Sequence, residues 1–475
     1  MKRTITLCAA LTIFLCTGCQ RIPDTMPTHS DAPEETSAAQ EPVPTDENGD
    51  ILIRIATDET EYLPPELESA MEEFNLLDNG YHVKPVIYSK AVMGTDDSGG
   101  LQTADMRLLM DVMQGENVDV VMDYSFFDLS NYDILSEKGA FVDLYTFLDG
   151  DSGISRSELN AHVLEIHEND GKLYQMPLSY KIETMVGDAE YVDTKENWTM
   201  DEMIEKWEQA PEGTNFCGNS TQWPVYRSLV RSNMGAFMDY ENGTCFFDSP
   251  EFIRLLEFVS QFTESKVKIE PDYNNNFVAP CIFYGFDNFH MSYHGDSYLR
   301  EEHPVYVGYP TENGQGSFVD TLRKRYSICE SAHPAVQEGA WEFFSYMLDA
   351  DVQIKNCVSY DKDNFKQNPY FEENGFPINR TAFERIAEGM IAHAGTSRIM
   401  DFSGIDEDVS YLTQEEYERL LRLIDSLHRM DAPIDKVANT IIENEIEALF
   451  AGERTAEEVA KAIQGRMEIM ISERS

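Results

Sequence analysis

Residues 50–124 read DILIRIATDETEYLPPELESAMEEFNLLDNGYHVKPVIYSKAVMGTDDSGGLQTADMRLLMDVMQGENVDVVMDY, and the alternation inside this stretch decides the fold class. ILIRIAT (51–57) is apolar and β-rich and predicts a strand. Pro64 and Pro65 then open ELESAMEEFN, whose apolar residues recur at a period near 3.6, which predicts a helix. HVKPVIY (82–88) predicts a second strand, LQTADMRLLMDVMQ (101–114) a second helix, and VDVVMDY (118–124) a third, buried strand. Alternating strand and helix is the pattern of a layered α/β domain with a largely parallel sheet. Open sheets of this kind bind ligands at the carboxyl ends of their strands. Asp58 follows the first strand, and Asp123, Tyr124 and Phe126 follow the third, so these four are candidate ligand contacts.

Further along, helix starts are marked by capping boxes, in which a Thr side chain and a Glu three residues later satisfy each other's backbone N–H. Thr199 with Glu202, Thr413 with Glu416 and Thr455 with Glu458 fit the pattern, and Gly452 fits a helix stop between the last two helices. No internal repeat of solenoid or propeller length is present. The 475 residues carry 86 acidic and 36 basic side chains, a formal charge of −50. Phosphate binding needs Lys and Arg to displace counterions, so nucleic acid is excluded as an expected partner. Beyond residue 19 the cysteines are Cys217, Cys245, Cys281, Cys329 and Cys357; none shows C-x-x-C spacing, and no metal or cofactor site is expected. Most read as small buried apolar residues, with a Cys217–Cys245 disulfide left open.

The N-terminus, MKRTITLCAALTIFLCTGC, has a basic head, an apolar run of signal-peptide length and small residues before Cys19. It resembles a bacterial lipoprotein signal at residues 1–18, which implies a lipidated Cys19 whose acyl chains, palmitate-like, anchor the protein to the membrane. Cys16 departs from the usual Leu, Val or Ile, and an ordinary cleaved signal is the competing reading. The run is too short to span about 30 Å of hydrocarbon. Residues 19–50 are rich in Pro, Ser, Thr and acids and read as a disordered tether reaching about 30 Å.

Four later segments, in order, resemble extracellular solute-binding proteins of the group that mostly serves carbohydrate ABC transporters. They are VDVVMDYSFFDLSNYDILSEKGAFVDL, DGKLYQMPLSYKIETMVGDAEYV, VYVGYPTENGQG with RYSICESAHPAVQEGAWEFFSYML, and GFPINR with the tail from Ala438 to Glu473. The resemblance implies a periplasmic-binding-protein type II fold: two α/β lobes joined by crossing segments, with a ligand cleft between them. It places the crossings near Ser179–Glu183, Tyr326–Ile328 and Phe376–Asn379. The implied division is residues 51–180 and 326–375 in lobe 1, and 181–325 and 376–475 in lobe 2. Expected partners are a small-molecule ligand, ABC permease subunits and the membrane through the lipid anchor, with the protein itself a monomer on the extracellular face of a Gram-positive-like envelope.

Sugar recognition needs flat apolar faces and paired hydrogen-bonding groups. The first crossing offers Tyr180 and Glu183. The second lobe offers Trp223 in NSTQWPVYR, with ring stacking and core packing equally open to it, and Asp287, His290 and Tyr293 in FYGFDNFHMSYHGD. Trp341, on an apolar helix with Phe344, reads as core. Motifs of serine hydrolases, zinc proteases and nucleotide hydrolases are absent, so a binding protein is expected rather than an enzyme. The alternatives are a surface sensor or glycan-capture protein without transport, and a secreted carbohydrate-active enzyme.

Overall fold

The computed structural model describes residues 42–57, 65–88, 104–122, 135–136, 138–150, 153–192, 195–217, 221–239, 243–262, 276–286, 288–289, 304–320, 325–357, 375–392, 397–400, 406–409, 412–429 and 436–474, and all statements below concern these residues. The folded body begins at Val43. Residues assigned to the end of the tether are therefore ordered: the Asp46 carboxylate accepts the N–H groups of Asn48, Gly49 and Asp50 at 2.8–3.0 Å, and Thr45 bridges Ile51. A side-chain-closed turn of this kind is invisible to composition. Cys19 and the signal-like segment lie outside the described residues.

The first lobe follows the predicted alternation. β1 (Ile51–Thr57), α1 (Pro65–Asn75), β2 (Tyr81–Ile87), α2 (Ala104–Gln114) and β3 (Val120–Met122) succeed one another, and β1 pairs in parallel with both β2 and β3. After the short helix α3 (Ala161–Ile166) comes β4 (Met176–Pro177) and then, one residue later, β5 (Ser179–Gly187). The second lobe adds α4 (Met200–Trp207), α5 (Gln222–Phe237), α6 (Pro250–Ser260), β6 (Val278–Phe283), β7 (Val305–Tyr306) and β8 (Phe318–Asp320). The chain continues through β9 (Arg325–Ile328), α7 (Pro334–Leu348), α8 (Ala350–Cys357), β10 (Phe376–Pro377) and α9 (Arg380–Ala392). It ends with α10 (Gln414–Asp425), β11 (His428–Arg429), α11 (Lys436–Phe450) and α12 (Ala456–Arg474).

Among the described residues two larger sheets result, besides two two-stranded ones. The first has the order β2-β1-β3-β9-β4, and the second the order β10-β5-β8-β11, with β6 and β7 also paired to β5. The chain leaves the first sheet between β4 and β5, returns between β8 and β9, and reaches the second again at β10.

Packing follows the period-two alternation of β5. Tyr180, Ile182 and Val186 join an apolar cluster that runs from Ile53, Val120 and Trp341 in the first lobe to Phe283, Phe376 and Phe383 beside the crossings. Met185 faces a second cluster of Trp198, Phe216, Phe252, Phe277 and the C-terminal helix residues Ile442, Ile446, Val459 and Ile463. Trp341 is 1% exposed and stacked on Phe147 at 5.2 Å, a core residue as expected.

All three capping boxes form. Gly452 adopts φ +70° just past α11, where a left-handed residue closes the helix. The five cysteines among the described residues are free thiols, and Cys217, Cys245, Cys281 and Cys329 are buried. Cys217 and Cys245 therefore do not pair.

Candidate functional site

The three crossings converge on the first residues of β5. Phe376 of β10 pairs with Tyr180, and their rings lie 5.6 Å apart. The pairing depends on Gly375. Its φ is +73°, and a Cβ there would stand 2.6 Å from the Tyr180 carbonyl oxygen, closer than any side chain can sit. Tyr180 is 1% exposed; its hydroxyl accepts from Asn160 Nδ2 at 3.4 Å, and burial pushes the phenol pKa well up.

One buried amide ties the first crossing to the third. Gln353, in α8, donates from Nε2 to the Leu178 carbonyl at 2.8 Å and accepts from the Asn379 backbone N–H at 3.0 Å. Asn379 in turn caps α9 through Ala382 N–H (3.0 Å) and donates to Leu348 O (2.9 Å). On the other flank, Asn160 N–H donates to Ile378 O at 2.9 Å, and His162 Nε2 donates to Leu427 O, beside β11, also at 2.9 Å. Just beyond α3, His167 is part-buried and its Nδ1 donates to Val163 O at 2.7 Å. Loss of hydration, with Arg325 and Arg429 nearby, pushes it down to about 3, so it is neutral near pH 7.

Glu183 lies on the opposite face of β5 from Tyr180 and is 5% exposed. Tyr309 donates its hydroxyl to Glu183 at 3.3 Å, and the neighbouring Thr184 and Ser317 hydroxyls bond at 2.7 Å. Tyr309 is held by Gly316: Tyr309 N–H donates to Gly316 O at 2.8 Å, and a Cβ on Gly316 would overlap the Tyr309 carbonyl at 1.7 Å. Lys181, between the two candidates, places its ammonium 4.5 Å above the Tyr284 ring.

Tyr180 and Glu183 are thus both on the crossing strand, one on each face. Trp223 is elsewhere: it lies on α5, half buried, edge-on to Phe450 at 5.0 Å and to Tyr226 at 5.7 Å. Asp58, Asp123, Tyr124, Phe126, Asp287, His290 and Tyr293 lie outside the described residues. The strands that lead to the first two are in place, since β1 ends at Thr57 and β3 at Met122, at the carboxyl edge of the parallel strands.

Thr57 is a candidate that the sequence reading missed. It is 4% exposed, and its hydroxyl has no hydrogen-bond partner among the described residues. An unpaired buried hydroxyl costs about 1–3 kcal/mol, so a group held this way at a sheet's carboxyl edge is poised for a ligand. Only its position directly before Asp58 signalled it in the sequence.

No protein-family model matches the chain, and no curated protein matches it in sequence. Solved structures match it in fold. An extracellular solute-binding protein family 1 from Alicyclobacillus acidocaldarius aligns over 90% of this chain and 100% of its own, at 14% identity and a TM-score of 0.54. A periplasmic oligogalacturonide-binding protein from Yersinia enterocolitica aligns over 89% and 99%, at 15% identity and 0.52. A de novo designed esterase aligns over 89% and 98%, at 14% identity and 0.54. The chain therefore has the two-lobed α/β fold of the extracellular solute-binding proteins. Because a designed esterase shares that fold, function rests on the chain's own residues.

Proposed function

We propose that this protein is a lipid-anchored extracellular solute-binding protein that captures a carbohydrate between its two lobes and delivers it to an ABC permease. The observation that carries the reading is the pair of larger sheets, which share no strand, with the chain passing between them near the start of β5, an arrangement suited to two bodies closing on a solute by a hinge. Supporting it are the lipoprotein-like N-terminus, the acidic tether and the chemistry at the lobe edges. Asp58, Asp123 and Asp287 supply acceptors for hydroxyls, His290 a donor or acceptor, and Tyr124, Phe126 and Tyr293 flat faces for pyranose rings. Thr57 completes the first-lobe edge. The oligogalacturonide-binding neighbour points to the same ligand class.

Ligand closes the lobes only to the extent that it binds the closed form more tightly than the open one. A thermal-shift panel of mono- and oligosaccharides, peptides and polyamines tests the assignment, because a ligand at about one hundred times its Kd adds roughly 2.7 kcal/mol to stability. The expected result is a shift with a sugar; a shift with a peptide or polyamine alone overturns the carbohydrate assignment. Mass spectrometry of the mature N-terminus tests the anchor, with a diacylglyceryl-modified Cys19 expected and an unmodified end at another residue counting against it.

A further inference from the structure

Lys181 stands on β5 between Tyr180 and Glu183, which are 1% and 5% exposed, and is itself only part-buried. The period of two puts it on the same face as Glu183. Strand register sets two neighbours beside it. Asp320, the last residue of β8, pairs directly with Lys181, and Tyr284 follows Phe283, the partner of Ile182, which carries β6 on to the position opposite Lys181. The Lys181 ammonium accordingly lies 4.5 Å from the centre of the Tyr284 ring. Tyr284, Lys181 and Asp320 form one row across three strands, and all three are part-buried. One row deeper on this face, Glu183 and its partner Phe318 are buried, so the face opens at the Lys181 row.

The same row is the last of the second sheet before the first lobe. Lys181 comes four residues after Pro177, the end of β4, and Asp320 five residues before Arg325, the start of β9. An extended chain covers at most about 3.5 Å per residue, which keeps the row within about 14 Å and about 18 Å of these two residues. Pro177 and Arg325 pair with each other one position beyond Tyr326, whose partner Met122 ends β3. They mark the carboxyl edge of the first sheet, where Thr57 ends β1. The row therefore adjoins the first-lobe side of the proposed cleft.

Its chemistry selects by charge. Directly opposed residues of an antiparallel pair hold their Cβ atoms about 4.5–5.5 Å apart, so a strong donor and a strong acceptor stand side by side. The ammonium only donates and the carboxylate only accepts, whereas a hydroxyl does both. Two adjacent hydroxyls on one ligand satisfy Lys181 and Asp320 together. A ligand carboxylate meets Asp320 with like charge, and a ligand ammonium meets Lys181 in the same way. Tyr284 adds an apolar surface for a ring's C–H groups.

We propose that Tyr284, Lys181 and Asp320 are the second-lobe contacts that make the cleft selective for an uncharged sugar ring, with Lys181 and Asp320 sharing two adjacent hydroxyls. This rests on the reading of carbohydrate capture between the lobes, and adds to it the residues and the charge class.

Calorimetric titration of the full chain with maltose, cellobiose, galactobiose and mannobiose tests this, with digalacturonate and the glucosamine disaccharide as anionic and cationic counterparts. The best neutral disaccharide is expected to bind at least about tenfold more tightly than either charged one, a gap of about 1.4 kcal/mol or more. Lys181→Met and Asp320→Asn are each expected to weaken it about tenfold or more and Tyr284→Leu about threefold or more, with melting curves checking the fold. Asp320→Asn should also narrow the margin against digalacturonate, and Lys181→Met the margin against the glucosamine disaccharide, changes that a purely structural role does not produce. A charged disaccharide that binds wild-type protein as tightly as the best neutral one overturns the proposal, and so do unchanged affinities and margins in the variants. Both outcomes leave carbohydrate capture standing. No heat from any of the six disaccharides up to about 10 mM removes the carbohydrate reading, and this proposal with it.

Discussion

Replacing Gln353 tests the crossing region most sharply, because this one side chain holds two crossings together. Its Nε2–H donates to Leu178 O, and its Oε1 accepts from Asn379 N–H, in a site where Gln353 is 4% exposed. Gln353→Met keeps the length and removes both bonds. The Asn379 N–H then has no acceptor, and Leu178 O retains only the long 3.4 Å contact from Ile378 N–H. Each buried group left unpaired costs about 1–3 kcal/mol, so the substitution should destabilise the protein by about 2–5 kcal/mol. Gln353→Glu keeps the acceptor for Asn379 but cannot donate to Leu178. Urea unfolding followed by circular dichroism measures both variants, comparing midpoints at an unchanged slope. A loss below about 0.5 kcal/mol for the Met variant, within the range of ordinary surface changes, refutes the claim that this amide clamps the crossings.

Other perturbations probe neighbouring groups. Gly375→Ala places a Cβ 2.6 Å from Tyr180 O at φ +73°; it should cost more than Gly80→Ala, where φ is +83° but nothing lies within 4 Å, and equal melting temperatures would show that the contact is unimportant. His167 has a folded pKa depressed to about 3 by burial, so its contribution is complete above the unfolded value near 6.5 and is lost as pH falls towards 3. His167→Gln should therefore flatten the decline in melting temperature between those limits, and an unchanged slope counts against the assignment. Thr57→Val removes an unpaired buried hydroxyl, and should leave the ligand-free protein equally or more stable, by up to about 1 kcal/mol, while weakening ligand binding. Unaltered ligand affinity would remove Thr57 from the site. Tyr309→Phe takes away the hydrogen bond to Glu183 and should cost about 1 kcal/mol, whereas the same substitution in a Glu183→Gln background should cost less; equal costs would mean that the two side chains act independently.

The alternation of ILIRIAT, ELESAMEEFN and VDVVMDY was readable because helix and strand periods are local, and the capping boxes were readable because Thr and Glu three residues apart close a bond within one turn. Gly452 was legible for the same reason. The resemblance implies crossings near Tyr180, Tyr326 and Phe376, but it says nothing of the bonds found around these segments. Gln353 joins Leu178, 175 positions away, and His162 reaches Leu427 across 265, and no spacing rule connects residues so distant. The ordered turn at Asp46 escaped for another reason: a stretch rich in acids and prolines has the composition of a tether even where one carboxylate closes it. Trp223 illustrates the limit for single aromatic residues, since its sequence context fits stacking on a sugar and the edge-on contact with Phe450 equally well.

The central claim, that a solute is held between two hinged lobes, is tested most directly by small-angle X-ray scattering of the protein with and without the sugar that gives the largest thermal shift. The account predicts a smaller radius of gyration at saturation, with the decrease following a one-to-one binding curve and the sugar recovered unchanged. A sugar that binds at full occupancy while the radius stays constant would contradict it.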